Sequence, residues 1–245
     1  MARRKKPPVP DVMSGRICRV PLPAEERAAM KGPASMHEIT WRIFRIMAEF
    51  VEGFQFLSSF SREVTVFGSA RISETHRWYK EARKLGGMLA ECGYTVITGG
   101  GPGIMEAANR GAHEHKGESV GLNIQLPTEQ RINPWVKRSR AFHYFFTRKV
   151  MLAASAQAYV FFPGGFGTLD EMFEMVTLVQ TGKSVKIPII LVDRKFWGPL
   201  FSWVDGTLLH EKTIDPDDCL LCRVVDTAEE AFDIIQTESQ ERSFF

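Results

Sequence analysis

The sequence lacks the features of membrane, secreted and disulfide-stabilised proteins. No uncharged apolar run approaches the roughly 20 residues that span a bilayer. Prolines, and not the apolar segment of a secretory signal, follow the basic stretch at residues 3–6. The four cysteines, at positions 18, 92, 219 and 222, are too few and too scattered for a disulfide framework. We therefore expect a cytoplasmic protein with no membrane partner.

Positive charge is also scarce on the part of the chain that should fold. The net charge of +2 combines +5 in residues 1–31 with −3 in the remainder. A negative body disfavours a nucleic-acid-binding surface. Residues 1–34, basic and rich in proline, are predicted to be a flexible tail, and residues 35–245 a single domain.

Metal-binding patterns are weak. Cys219 and Cys222 have C-x-x-C spacing, but zinc would need two further ligands, so two ordinary thiols beside a strand are favoured. His113 and His115 are two residues apart, which places them on different sides of a helix. The sequence predicts no metal and no cofactor.

Short apolar runs that alternate with helical patterns are present from Glu63 onward. They predict consecutive βαβ units, hence an α/β fold with a doubly wound, mostly parallel, Rossmann-like sheet and helices on both faces. The predicted strands are 64–67, 95–98, 119–123, 140–144, 158–162, 187–192 and 223–226. The predicted helices are 75–92, 103–115, 147–155, 168–180, 196–209 and 228–236.

An additional amphipathic helix is predicted before the sheet, at residues 35–60. Ser35 and Glu38 have the spacing of a capping box at its start. Trp41, Phe44 and Phe56 lie off its main apolar stripe. Part of this helix is therefore a candidate contact with another subunit, in a homodimer or larger homo-oligomer, with ordinary intramolecular packing as the alternative.

Two glycine-rich loops are predicted at the carboxyl edge of the sheet, where ligands bind in such folds. One contains Gly99, Gly100, Gly101 and Gly103, and the other contains Gly164, Gly165, Gly167 and Thr168. Neither matches a dinucleotide fingerprint or a Walker A motif. Glycines between a strand and a helix let backbone amides approach an anion, so a phosphate is the expected ligand, with tight turns as the alternative.

Charged residues flank the second loop. Glu171 is either a carboxylate in the ligand crevice or the partner of Thr168 in a capping box, and position alone does not decide. Arg148 and Lys149 open the preceding helix, where paired cations favour a phosphate clamp over plain surface. Met105 opens a helix that faces the crevice and is a further candidate ligand contact, although packing is the stronger alternative.

The segments 99–107 and 163–171, with Arg148 and Lys149 between them, resemble the Lonely Guy family of phosphoribohydrolases. Many bacterial members of that family bear the label possible lysine decarboxylase. The resemblance covers residues 63–192, and the segment 145–151 is similar to the longer bacterial branch. It implies an enzyme that hydrolyses the N-glycosidic bond of a nucleoside 5′-monophosphate, either AMP or a cytokinin riboside monophosphate. It also implies dimers that complete one another's active sites.

The resemblance implies that Arg148 and Glu171 are the catalytic pair. It assigns the phosphate and ribose to the two loops, through Gly100, Gly101, Gly103, Gly164, Gly165, Gly167 and Thr168, with Met105 and Lys149 as further substrate contacts. A carboxylate beneath C1′ would stabilise the cation-like sugar of the transition state. The alternatives are a non-catalytic nucleotide or cofactor carrier, a decarboxylase that would need pyridoxal phosphate on a lysine, and a DNA-processing protein.

Overall fold

A computed structural model describes residues 36–125, 132–154 and 156–239. The predicted tail, the predicted cap Ser35 and residue 155 at the end of one predicted helix lie outside these ranges. Contacts divide the chain after Ile43. Residues 36–43 are the described part of the first unit, and the second unit begins at Phe44.

Seven strands form one sheet, as predicted from the alternation of apolar runs. They are Glu63–Phe67 (β1), Thr95–Thr98 (β2), Glu118–Ile124 (β3), Arg138–Phe142 (β4), Ala158–Phe161 (β5), Ile189–Val192 (β6) and Cys222–Val225 (β7). Each lies within two residues of its predicted bounds. β1, β2, β5 and β6 are buried throughout, as expected for strands that helices cover on both faces.

The helices are Met36–Leu57 (α1), Arg77–Glu91 (α2), Ile104–Glu114 (α3), Phe145–Ala154 (α4), Phe166–Gln180 (α5), Arg194–Trp203 (α6) and Ala228–Glu238 (α7). The prediction extended one helix to residue 209, but α6 ends at Trp203 and a π-helical segment, Val204–Leu209, follows. A short 3₁₀ helix, Pro216–Leu220, was not predicted.

Every strand pairing is parallel, and the strand order is β4-β3-β2-β1-β5-β6-β7. The chain builds outward from β1 to β4 and then returns to the other side of β1 to add β5, β6 and β7. Strand order therefore reverses between β1 and β5, where Phe67 pairs with Phe161. A doubly wound sheet binds its ligands beyond the carboxyl ends of the strands at this position.

Two apolar clusters cover the two faces of the sheet. Alternate residues of β5 separate them: Val160 packs into one cluster, and Tyr159 and Phe161 into the other. The first cluster contains Leu85 of α2, and the second contains Met172 of α5. This alternation follows from the two-residue period of a strand and confirms the predicted fold class.

Several apolar side chains are exposed on α1, the helix for which a subunit contact is predicted. Within the second unit, Met47 and Val51 are more than half exposed on this helix, and Phe145 of α4 is also exposed. The homo-oligomer stays a prediction that light scattering tests. Within the described ranges, no helix combines the length and the apolar character that crossing a membrane requires.

Candidate active site

A cavity of about 890 Å³ lies at the point where strand order reverses. The loop after β1, residues 68–72, lines one side of it. The loop after β5, residues 163–168, lines another, and the two loops are joined by a hydrogen bond from the Ser69 amide to the Pro163 carbonyl, at 3.1 Å. Arg148 and Glu171 both line this cavity, so the structure brings the two predicted catalytic residues together.

Glu171 lies in the second turn of α5 and is buried, with only 8% of its surface exposed. Its Oε2 has no hydrogen-bond partner among the described residues. Burial raises the pKa of this carboxyl to about 7, although the positive charges of Lys149 and Arg148 act in the opposite direction. A desolvated carboxyl that titrates near neutral pH inside a cavity is typical of an acid or base in catalysis.

The capping-box alternative for Glu171 is wrong. Gly165, not Thr168, is the N-cap of α5, and the helix begins at Phe166, two residues earlier than predicted. Thr168 is therefore already helical, and its amide donates to the Gly165 carbonyl at 3.0 Å. Glu171 is thus not needed to cap the helix.

Arg148 is held by the backbone of the neighbouring strand. Its Nε donates to the Leu122 carbonyl of β3 at 2.7 Å. Burial lowers the pKa of the guanidinium, while the negative charge of Glu171 opposes that shift. Gly99 lies directly against the guanidinium, and a Cβ at this position would overlap it. This close approach gives a local reason for glycine at the tip of β2.

Lys149 has a different environment from Arg148. Its Nζ pairs with Asp170 at 2.8 Å and with Glu174 at 2.7 Å, in a shallow depression outside the main cavity. Burial works against its charge, but the hydrogen bonds to Asp170 and Glu174 raise the pKa of the ammonium overall. Lys149 is thus already paired with two carboxylates, so its predicted substrate contact stays a prediction.

The loop after β5 offers backbone donors to the cavity. Gly164, Gly165, Gly167 and Thr168 all line it. No side chain caps the start of α5, and the first amides of a helix have no carbonyl within the helix to bind. These donors and the positive end of the helix dipole face the cavity that contains Glu171, an arrangement that suits a phosphate.

The loop after β2 is held by a buried polar network. The side chain of Asn133 donates to the Gly101 carbonyl and to Asn109 Oδ1, both at 3.0 Å. Thr98 Oγ1 donates to Asn109 Oδ1 at 2.6 Å and accepts the Gly100 amide at 2.9 Å.

Residues of this loop differ in their access to the cavity. Gly99 and Met105 line it, whereas Gly100, Gly101 and Gly103 are not among the lining residues. The Gly100 amide is occupied by Thr98, so a direct contact of that amide with phosphate would require the loop to change. The assignment of these three glycines to the substrate stays a prediction.

Sequence inspection missed several residues that hold the site. Asn109 could have been noticed as a polar residue on the buried face of a predicted helix. Trp78 and Phe196 also line the cavity, and Glu49 contacts the start of α4. No local pattern marked these three, because Trp78 and Phe196 meet only in the folded chain and Glu49 binds a segment 94 residues away in sequence.

The described residues include no group of three or more His, Cys, Asp or Glu side chains placed to hold a metal ion. Between His113 and His115, Glu114 pairs with Arg83 at 2.7 Å and with Arg110 at 3.1 Å. Cys219 and Cys222 are free thiols.

The chain is similar in sequence to a known family and to two named rice proteins. The model of the family described as "Possible lysine decarboxylase" matches residues 105–235. A rice protein named probable cytokinin riboside 5′-monophosphate phosphoribohydrolase LOGL5 is 30% identical over 158 residues, 63% of each chain. The rice phosphoribohydrolase LOG is 32% identical over 152 residues, 60% of this chain and 62% of its own. The chain thus spans just under two thirds of the length of these two relatives.

A solved structure supports the same fold. The structural genomics target TM1055 is 27% identical, with a TM-score of 0.55, and the match covers 71% of this chain and 98% of that chain. A molybdenum cofactor binding protein from Rippkaea orientalis is 22% identical, with a TM-score of 0.52, and the match covers 71% of this chain and 94% of that chain. At that identity the second likeness concerns the fold alone.

Proposed function

This chain belongs to the Lonely Guy family, and from that premise we propose that it hydrolyses the N-glycosidic bond of a nucleoside 5′-monophosphate to the free base and ribose 5-phosphate. The observation that carries the proposal is the buried Glu171 carboxyl, which shares a cavity with Arg148 and with the glycine-rich start of α5.

Glu171 has the properties that this reaction requires. Cleavage of a ribosyl C1′–N bond passes through a sugar with cationic character, which a nearby carboxylate stabilises. In the proposed step the oxygen of a water molecule bonds to C1′, and the electron pair of the C1′–N bond leaves with the base. Glu171 accepts the proton that the water loses, and the departing base takes up a proton in turn. A pKa of about 7 suits a group that both accepts and returns a proton near neutral pH.

Arg148 contributes positive charge on the same side of the cavity as Glu171. Its electrostatic interaction with Glu171 favours the ionised carboxylate. We assign it to negative charge that develops on the departing base or is carried by the phosphate. Either role requires the cation, so Arg148→Ala should lose activity on every substrate.

The start of α5 is the proposed phosphate site. The amides of Gly165 and Gly167 and the hydroxyl of Thr168 are the donors, and the helix dipole adds a partial positive charge. Recognition of the phosphate distinguishes a 5′-monophosphate from the corresponding nucleoside. The rice relatives are named for cytokinin riboside 5′-monophosphates, and we propose that AMP is a substrate of this chain.

The test is incubation of the purified chain with nucleoside monophosphates, followed by chromatography for the released base. We expect adenine from AMP and none from adenosine, which lacks the phosphate. Glu171→Gln and Arg148→Ala should each lower the rate about 10²- to 10⁴-fold. Glu174→Gln is the matched control, because this carboxylate lies one turn further along α5 and pairs with Lys149 outside the cavity. A chain that binds AMP and releases no adenine would be a carrier, and the proposal would be wrong.

A further inference from the structure

The cavity contains an aromatic surface that the proposed hydrolysis does not use. Trp78 lies in the first turn of α2 and Phe196 in the first turn of α6, and both line the cavity. Their rings meet edge to face, with centroids 5.7 Å apart at an angle of 76°. We call these two residues the aromatic wall. Partly exposed aromatic rings in a ligand cavity suit a planar ligand group that stacks on them.

Asp193 holds the aromatic wall in place. It is buried, with 3% of its surface exposed, and follows β6 directly. Its Oδ2 accepts hydrogen bonds from the indole of Trp78 and from Arg77, and its Oδ1 accepts the Phe196 amide at 3.1 Å. Its backbone has φ of 89°, a conformation that is strained for a residue with a side chain. The wall is therefore fixed before any ligand arrives, which reduces the cost of ordering it on binding.

The strand order gives the position of the wall along the cavity. The guanidinium of Arg148 lies against Gly99 at the tip of β2, α5 begins beyond β5, and Asp193 lies at the tip of β6. The order of these strands is β2-β1-β5-β6. Because neighbouring strands are about 4.8 Å apart, Asp193, which holds the wall, is about 5 Å from the end of β5 and about 14 Å from the tip of β2 across the sheet.

Arg148 and Asp193 lie on opposite sides of β5 in the strand order, because Arg148 lies against the residue that follows β2 and Asp193 follows β6. Glu171 and Arg148 interact electrostatically, which places the reacting end of the cavity towards β2. With the 5′-phosphate at the start of α5, the sugar extends towards Arg148. The wall then faces the other side of the phosphate, where a nucleoside monophosphate has no further atoms.

We propose that the aromatic wall is a second nucleoside subsite, which stacks a base joined to the bound nucleotide through its 5′-phosphate. The ligand class is a dinucleotide linked by a 5′,5′-pyrophosphate. Arg71, on the loop after β1, lines the cavity and supplies a cation for the second phosphate. The cavity volume of about 890 Å³ lies in the upper part of the range typical of ligand pockets, roughly 300–1,000 Å³. The inference rests on the proposed function, because it takes the phosphate position from it.

The test compares the dissociation constants of AMP, ADP and P1,P2-di(adenosine-5′) diphosphate by titration calorimetry, with the full chain carrying Glu171→Gln to prevent turnover. The dinucleotide should bind about 5- to 100-fold more tightly than AMP, as expected from stacking one additional base. ADP should lie between the two. Trp78→Ala should remove the advantage of the dinucleotide and leave the dissociation constant of AMP within about twofold.

Trp203→Ala is the matched control, because this tryptophan ends α6, is half exposed and does not line the cavity. It should leave the advantage of the dinucleotide intact. Phe196→Ala is the second wall variant, to be used if Trp78→Ala does not fold. The inference is overturned if the dinucleotide binds no more tightly than AMP, or if the wall variants weaken AMP and the dinucleotide equally. Wild-type chain that binds AMP without cleaving it overturns the proposed function alone, since the comparison of dissociation constants does not depend on turnover.

Discussion

The carboxylate of Glu49 accepts a hydrogen bond from the Thr147 hydroxyl at 2.6 Å, across 98 residues of sequence. The same carboxylate accepts the backbone amides of His143 at 2.7 Å and Tyr144 at 3.3 Å. A residue of α1 therefore holds the two residues that lead into α4 and a hydroxyl in its first turn, and its negative charge lies at the positive end of that helix. Thr147 immediately precedes Arg148, so Glu49 fixes the turn that presents the proposed catalytic cation.

Glu49→Gln should destabilise the chain and lower activity. The amide keeps one acceptor oxygen but replaces the other with a donor that faces the amides of His143 and Tyr144. Loss of hydrogen bonds to a charged, buried group should cost about 1.5–3 kcal/mol in urea unfolding. The value of kcat should fall more than KM rises, because the orientation of Arg148 matters most in the transition state.

Glu52→Gln is the control for this prediction. Glu52 lies on the same helix but forms a partly exposed ion pair with Arg140, and such pairs contribute about 0–1 kcal/mol. Equal losses of stability and activity in the two variants would show that Glu49 has no specific role in positioning α4.

Local sequence patterns predicted the sheet, whereas the pairing of Arg148 with Glu171 came from the resemblance to the family and stays a proposal. The apolar run of a strand and the glycine-rich loop before α5 are each recognisable within a window of about ten residues. The contacts between Glu49 and Thr147, and between Asp193 and Trp78, join residues about 100 positions apart. No periodicity encodes such polar contacts, since they depend on how helices pack on the sheet.

The start of α5 shows the limit of local reasoning. Thr168 and Glu171 have capping-box spacing, but Gly165, with an extended backbone at φ of −95° and ψ of −159°, is the N-cap, and the helix begins two residues before Thr168. The capping-box spacing and the glycine at position 165 predict different starts for this helix, and the N-cap is the glycine. Glu171 therefore does not cap the helix, and it lines the cavity instead.

Glu171→Gln should stabilise the chain above neutral pH although it lowers activity. The pKa of Glu171 is raised to about 7 by burial, so the folded chain binds this proton more tightly than the unfolded chain does. Stability from this group is therefore greatest at low pH and is lost as pH rises towards 7. Glutamine avoids this cost, and the gain in unfolding free energy should be on the order of 3 kcal/mol at pH 8 and near zero at pH 4.5.

Chemical denaturation at the two pH values measures this gain. Glu174→Gln should not stabilise the chain at pH 8, because it removes the ion pair with Lys149. A gain from Glu171→Gln that is the same at pH 4.5 and pH 8 would contradict the assigned pKa.

The rate of AMP hydrolysis should increase with pH through about 7. The proposed role of Glu171 requires the ionised carboxylate, and kcat/KM reports the ionisation of the free enzyme. The expected profile has a rising limb with an apparent pKa near 7, above the value of about 6 for the second ionisation of a phosphate monoester. A rate that falls over this range would instead indicate that protonated Glu171 acts as a general acid.

Asn109→Ala should disrupt the loop after β2. The buried amide accepts from Thr98 and Asn133 and donates to Ser119, at 2.6, 3.0 and 2.9 Å. Its removal leaves several buried polar groups without partners, which should cost about 2–4 kcal/mol in unfolding free energy. Ser119→Ala removes fewer contacts and should cost about 1 kcal/mol. Similar costs for the two variants would show that Asn109 is not the centre of the network.

Gly111→Ala should destabilise the chain even though alanine favours helices. Gly111 of α3 packs against the backbone of α2, where an added Cβ would overlap the Arg83 carbonyl and lie 2.8 Å from the Gly87 amide nitrogen. The helix propensity of alanine contributes up to about 1 kcal/mol, but forcing backbones apart in a packed core costs about 1–3 kcal/mol. The midpoint of urea unfolding should therefore decrease. Gly206→Ala in the π-helical segment is the control, because an added Cβ there meets nothing within 4 Å beyond its own chain neighbours and helix backbone, and its midpoint should stay the same or increase. If Gly111→Ala also increases the midpoint, the two helices can separate without cost, and their close packing does not stabilise this face of the sheet.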